Sequence, residues 1–248
     1  MKQAAFKFCL IILVLVFLGG CATPKTAGGL QIEEYQLKEQ PQVVPLTFEP
    51  VDGTQAEILA AHATERDAKI TFEITAPEGS PMMGSQGEQK DLKAVVLTAV
   101  SGQPLQTVQL IRGSEVIFET PGGLPSPAVP VQALWTYGGH WALEVLYSDE
   151  TTWAGRVFID GEMVNEQKGY EEAFGLQLLD GKPFFFYKRE GKIGYSYDGK
   201  ETDLGYDEIL HYYCCAETEM NPIPAEKMVA FFAKKGDVWY YVELGVFK

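Results

Sequence analysis

The stretch His211-Tyr212-Tyr213-Cys214-Cys215 holds an imidazole and two thiols within five residues, the densest chemistry in the chain. The other cysteines, Cys9 and Cys21, belong to the first 21 residues. Thiols outside the cytoplasm tend to oxidise, and Cys214 and Cys215 then pair with each other or across molecules. Successive residues of a regular strand point to opposite faces, so a vicinal disulfide between them demands a distorted turn. Residues 217–224 (ETEMNPIP) read as a loop and put the pair at a strand end, where such a turn can form. A second chemistry is metal binding by His211, Cys214 and Cys215, joined by Glu217 or Glu219. Structural zinc takes four ligands that each turn inward. Adjacent cysteines suit that poorly, and His62 and His140 have no evident place beside them. In a third reading the cysteines are two small apolar residues at the rim of a core. All three stay open.

Paired carboxylates are the other candidates. Glu171 and Glu172 recur as Asp207 and Glu208, 36 residues on. A sugar hydrolase needs two carboxyl groups about 5 to 10 Å apart across a cleft. Recurrence at matching places argues instead for a repeated structural role, closing a turn beside Tyr170 and Tyr206. The Asp-Gly pairs at 160, 180 and 198 set carboxylates beside glycine, as calcium loops do, but none continues into the alternating acids and distal Glu of such a loop. Asp-Gly between strands is a hairpin turn, in which glycine accepts a positive φ. The sequence holds no G-x-S-x-G elbow, P-loop or dinucleotide fingerprint. Catalytic residues are therefore not assigned, and no cofactor is expected.

The elements that must position these side chains are short strands. Residues 154–172 (AGRVFIDGEMVNEQKGYEE) and 191–208 (GKIGYSYDGKETDLGYDE) share a layout, with weaker echoes at 112–123 and 234–245. Each unit reads as a meander. First strands are 94–100, 131–137, 174–180 and 209–215; second strands include 140–148, 183–190 and 227–235. Aromatic and β-branched residues dominate them, with turn residues every 8 to 12 positions. A period near 40 residues with about four short strands is what a propeller blade requires. One such sheet cannot bury both faces alone, so neighbours must stack. The expected fold is all-β, a propeller-like array of about four three- to four-stranded meanders, with a β-sandwich or open meander as the alternative. The last unit lacks an outer strand, which residues 43–49 (VVPLTFE) are expected to supply, closing the ring. Ahead of the array, Thr54-Gln-Ala-Glu57 is a capping box opening a short helix to about residue 64. Residues 69–75 (KITFEIT) read as a strand, 77–90 as a loop, and 31–42 as extended tether or surface strand.

The pieces GKIGYSYDGK and GYDE resemble the WG-type repeats of bacterial surface proteins, which carry a Gly-Lys-Trp-Gly-Tyr core and a later Tyr-Asp-Glu-like element. Ile193 stands where those repeats have tryptophan, and their usual Ile-Pro-Pro is absent. The resemblance covers about two of the four units, and it implies binding or scaffolding rather than chemistry.

The first residues bear on location. Lys2 and Lys7 precede an eleven-residue apolar run, Phe8 to Leu18. A spanning helix needs about 20 apolar residues, so this run is too short to remain as an anchor, and it has the layout of a secretory signal. Leu18-Gly19-Gly20-Cys21 resembles the lipobox of bacterial lipoproteins. The resemblance implies cleavage between Gly20 and Cys21 and acylation of Cys21, with palmitate among the attached chains. One acyl chain binds a membrane only marginally, at about 10⁴ M⁻¹, so stable anchoring takes a second signal. Ala22 stands where an inner-membrane retention signal would have Asp, which favours the outer membrane in a two-membrane host and the outer face of the cell membrane otherwise.

Cleavage removes Lys2 and Lys7 and no acid, taking the net charge from -14 to -16. Such a body repels phosphate backbones and excludes nucleic acid as a partner. The domain layout is 1–20 signal, 21–41 lipidated cysteine and flexible tether, 42–91 front strands with a helix and loop, and 92–248 β-repeats. The functional expectation is a lipid-anchored, extracytoplasmic binding or scaffolding module. Its partners are the bilayer and an envelope protein or carbohydrate. The alternatives are an envelope enzyme on carbohydrate or peptide, and a redox or metal-handling protein built on the cysteine pair.

Overall fold

The computed structural model describes residues 25–43, 46–66, 92–97, 105–125, 129–212 and 221–246. Gly20, Cys21, Cys214 and Cys215 lie outside the described residues, as do the expected strand at 69–75 and the loop at 77–90.

The chain is predominantly β. Strands β1 (Lys25–Ala27) and β2 (Leu30–Gln36) come first, then helix α1 (Gln55–Ala61). A first meander follows, of β3 (Leu92–Leu97), β4 (Gln106–Arg112) and β5 (Glu115–Gly123). The second holds β6 (Val131–Tyr137), β7 (His140–Ser148), β8 (Trp153–Ile159) and β9 (Glu162–Met163), and the short helix α2 (Val164–Lys168) leads out of it. The third is β10 (Glu172–Leu179), β11 (Lys182–Arg189), β12 (Lys192–Tyr197) and β13 (Lys200–Tyr206). Last come β14 (Glu208–Ile209), β15 (Ile223–Pro224), β16 (Met228–Lys235) and β17 (Val238–Gly245).

The meanders form three hydrogen-bonded sheets. The first two join into one seven-stranded sheet through a single parallel pairing, Gly123 opposite Ser148. Only glycine fits at this seam, because a Cβ on Gly123 would lie 2.1 Å from the Ser148 carbonyl oxygen. The third meander is a four-stranded sheet of its own. The remaining sheet, six-stranded and built on the fourth meander, runs β1-β2-β17-β16-β14, with β15 also paired to β16. Among the described residues no closed barrel or ring is present, and no helix is long and apolar enough to cross a membrane.

Strands that look uniformly apolar divide between two cores, because successive side chains leave opposite faces. Phe184 and Phe186 of β11 enter the core shared with the sheet of the fourth meander, while Phe185 and Tyr187 enter the core shared with the second meander. In β16, Val229, Phe231 and Ala233 face the third sheet, and Met228, Ala230 and Phe232 face a layer made by residues 37–66. In β7, Trp141, Leu143 and Val145 pack on the first meander.

Local turn chemistry works as expected. Asp160, Asp180 and Asp198 take φ of 50°, 50° and 52°, and the glycines after them 93°, 74° and 74°. These are hairpin turns that need positive φ at both central residues. Thr54 caps α1 with a complete capping box.

Two expectations are corrected. The strand that completes the sheet of the fourth meander is β2, not residues 43–49. β2 alternates, burying Leu30 and Ile32, and has an N–H at every position to serve its β1 and β17 ladders. The stretch 43–49 carries Pro45, which has no N–H to donate. Its described residues make only the isolated bridge Gln42–Thr47, and Phe48 stacks 4.6 Å from the Tyr241 ring. The segment 31–42 therefore contributes an internal strand over 30–36, flanked by β1 and β17. The expected strand at 209–215 ends at Ile209. Tyr212 has a φ of 54°, which no strand continues through, and His211 and Tyr212 are drawn off to partners in other sheets.

Candidate functional site

His211 sits where the sheets of the second, third and fourth meanders meet. Its ring stacks 3.6 Å from Phe174 at 8°. Nδ1 donates to the Ile209 carbonyl at 2.5 Å, and Nε2 is 3.1 Å from Glu172 Oε1. Both ring nitrogens are thus engaged within the protein. Glu172 Oε1 also accepts from the Gly155 amide of β8 at 3.1 Å. The adjacent Tyr212 hydroxyl donates to Glu144 of β7.

Glu144 is 2% exposed, on the face of β7 that meets the third sheet. A register shift in β10 between Phe174 and Gln177 turns two amides out of the β11 ladder. Glu144 takes both: Gly175 N donates to Oε1 at 3.2 Å and Leu176 N to Oε2 at 2.6 Å. Burial raises the Glu144 pKa, and these hydrogen bonds only partly offset it. Burial alone would also raise Glu172, but His211 and the Gly155 amide carry it below the ordinary carboxylate value. Burial and the neighbouring Glu144 hold the Tyr212 hydroxyl protonated. Two carboxyls displaced in opposite directions are the pattern of an acid–base pair. Here, however, each is spent on backbone amides and aromatic hydroxyl or imidazole groups that tie three sheets together.

The recurring acids do close turns. Glu171 Oε1 accepts the Gly191 amide at 2.9 Å, and Asp207 Oδ2 accepts the Gly236 amide at 2.7 Å. Each of those glycines lies in the hairpin turn of a neighbouring β-pair. The tyrosines beside the acids are both buried against aromatic rings but in different geometries, Tyr170 stacked 4.4 Å from Tyr187 and Tyr206 edge-on 6.2 Å from Phe231.

A second cluster had no counterpart in the sequence reading. Glu33 of β2 lies directly opposite Glu243 of β17. His62, at the C-terminal end of α1, brings Nε2 to 3.6 Å from Glu33 Oε2 and 3.2 Å from Glu243 Oε2. Arg66, 5% exposed, places Nη2 3.1 Å from Glu243 Oε1. Tyr35 donates to Glu33 Oε2 at 2.6 Å and Tyr241 to Glu243 Oε1 at 3.0 Å. Burial raises the Glu243 pKa, with Arg66 and His62 opposing the shift. No sequence spacing links residues 33, 62 and 243, and the only local signal was a histidine closing a capped helix. The third histidine, His140, pairs with Asp160 on the surface at 2.5 Å.

Comparison of the chain with family models, with curated proteins and with solved structures gives no match.

Proposed function

We propose that this protein is a bacterial envelope lipoprotein, held at a membrane through acylated Cys21, whose β-repeat body binds or scaffolds an envelope protein or carbohydrate. The motif Leu18-Gly19-Gly20-Cys21 after a short apolar run carries the anchor. Scaffolding is favoured over catalysis because the acids with recurring or displaced character serve the fold: Glu144, Glu171, Glu172 and Asp207 all accept backbone amides. The four meanders are read as a propeller-like row in which consecutive units share cores. That reading is supported by the way β11 and β16 each send alternate residues to two different layers.

Labelled palmitate fed to cells expressing the full chain tests the anchor. Wild type takes up label and stays with the membrane fraction; C21S does neither. Label-free wild type, or C21S that fractionates identically, overturns the anchor. In-cell crosslinking tests the scaffold: discrete adducts support it, and a crosslinked population of monomer alone rejects it.

A further inference from the structure

We propose that Glu33, His62 and Glu243 form a binding site for one divalent cation of the zinc type. The ladder sets the two glutamates directly opposite each other on one face of the β2–β17 pair. Like charges in that relation destabilise a sheet unless something positive lies over them. Arg66 offsets only one of the two. It engages Glu243 Oε1 and donates to the Ile58 carbonyl at 3.1 Å, away from the Oε2 side.

The donor atoms have the spacing of a coordination shell. Tetrahedral zinc with ligands at about 2.0–2.2 Å has ligand–ligand edges of about 3.3–3.6 Å. His62 Nε2 is 3.2 Å from Glu243 Oε2 and 3.6 Å from Glu33 Oε2, and all three atoms lie within 4.8 Å of one another. The carboxylate oxygen of Glu243 nearest the imidazole is buried and, among the described residues, accepts no hydrogen bond. Glu243 Oε2 therefore keeps a lone pair for an ion at a position 3.2 Å from the imidazole nitrogen.

Supporting groups hold the ligands as metal sites require. Tyr241 and Arg66 occupy Glu243 Oε1, which fixes the orientation of Oε2, and Tyr35 steadies Glu33 Oε2. Outer groups of this kind set ligand geometry and affinity. The Glu33 side chain is 37% exposed, while that of Glu243 is fully buried, so the cluster has one open side for entry and for a water ligand. One imidazole with two carboxylates suits zinc and its first-row neighbours. Calcium, which takes six to eight oxygens, has too few here. A bound ion would clamp α1 and the turn after it onto the face of the β2–β17 pair.

The purified full chain, stripped with a chelator, is titrated with zinc chloride by calorimetry and with cobalt(II) by visible absorption. One zinc per chain is expected, with a melting temperature that rises with zinc and d–d bands typical of a mixed nitrogen–oxygen shell. H62N and E33Q should each weaken zinc at least about tenfold, and Y35F about tenfold through its outer contact. E33Q changes a half-exposed side chain, and circular dichroism verifies its fold. The C214S/C215S double variant should bind as wild type does. Failure to bind at micromolar zinc overturns the site. Zinc binding that H62N and E33Q leave unchanged assigns the ion to other surface acids. Loss of zinc in the double cysteine variant assigns it to the 211–215 stretch. Either result rejects the proposal.

Discussion

Glu144 Oε2 receives the amide of Leu176 at 2.6 Å, joining β7 of one sheet to the bulge of β10 in the next. The bulge exposes amides that the β11 ladder cannot serve, and a buried carboxylate answers them. Removing it should be costly: E144A leaves two amides and the Tyr212 hydroxyl without their acceptor. The expected loss is about 3 kcal/mol, and E144Q, which keeps one acceptor oxygen, should lose about half of that. Urea unfolding with an unchanged slope checks both values.

The same pair of sheets gives two opposed pH dependences. Glu144 titrates above the ordinary carboxylate value when folded, so its contribution is fully present below that value and is lost as pH rises through the raised one. Glu172 titrates below the ordinary value, so its contribution is present above it and is lost as pH falls through the lowered one. E144Q should flatten the decline in stability on the alkaline side of pH 4.5, and E172Q the decline on the acid side. Chemical unfolding across pH 3 to 7 separates them.

Asp149 is held at about 2 by the amides and hydroxyls of Thr151 and Thr152 in the loop between β7 and β8. Its contribution is present above 3.8 and fades as pH falls toward 2. D149N should remove that fading segment by lowering stability near neutrality toward the wild-type level at low pH, and only modestly, since solvent screens a fully exposed carboxylate. A carbon-detected titration of the Asp149 carboxyl checks the value directly.

Gly155 of β8 marks the closest approach of the second meander to the third sheet. A Cβ there would meet the Ala173 carbonyl oxygen at 2.3 Å and the Tyr212 hydroxyl at 2.5 Å. G155A should therefore force the sheets apart and cost about 1–3 kcal/mol. Because Gly155 also donates to Glu172, the loss should come with a shift of the His211 ring resonances.

Much of the strand layout is legible in the residues themselves. The strands at 131–137 and 140–148 are found at those bounds, the Asp-Gly pairs make their turns, and Thr54 with Glu57 makes its cap. These features depend on period-two alternation and on turn and cap chemistry, which act over a few residues. The stretch at 209–215 misled because its apolar and aromatic residues fit a strand equally well. What stops it is the pull of Glu172 and Glu144, which the chain brings near only after folding.

By itself the sequence determined the β class, the repeat of turn-closing acids and the capped helix, because each follows from neighbours along the chain. The tertiary structure alone decided that β2 rather than residues 43–49 completes the last sheet, and that Glu33, His62 and Glu243 converge. Both depend on which faces find a matching core to bury, and burial is settled between segments from opposite ends of the chain, where no local pattern reaches.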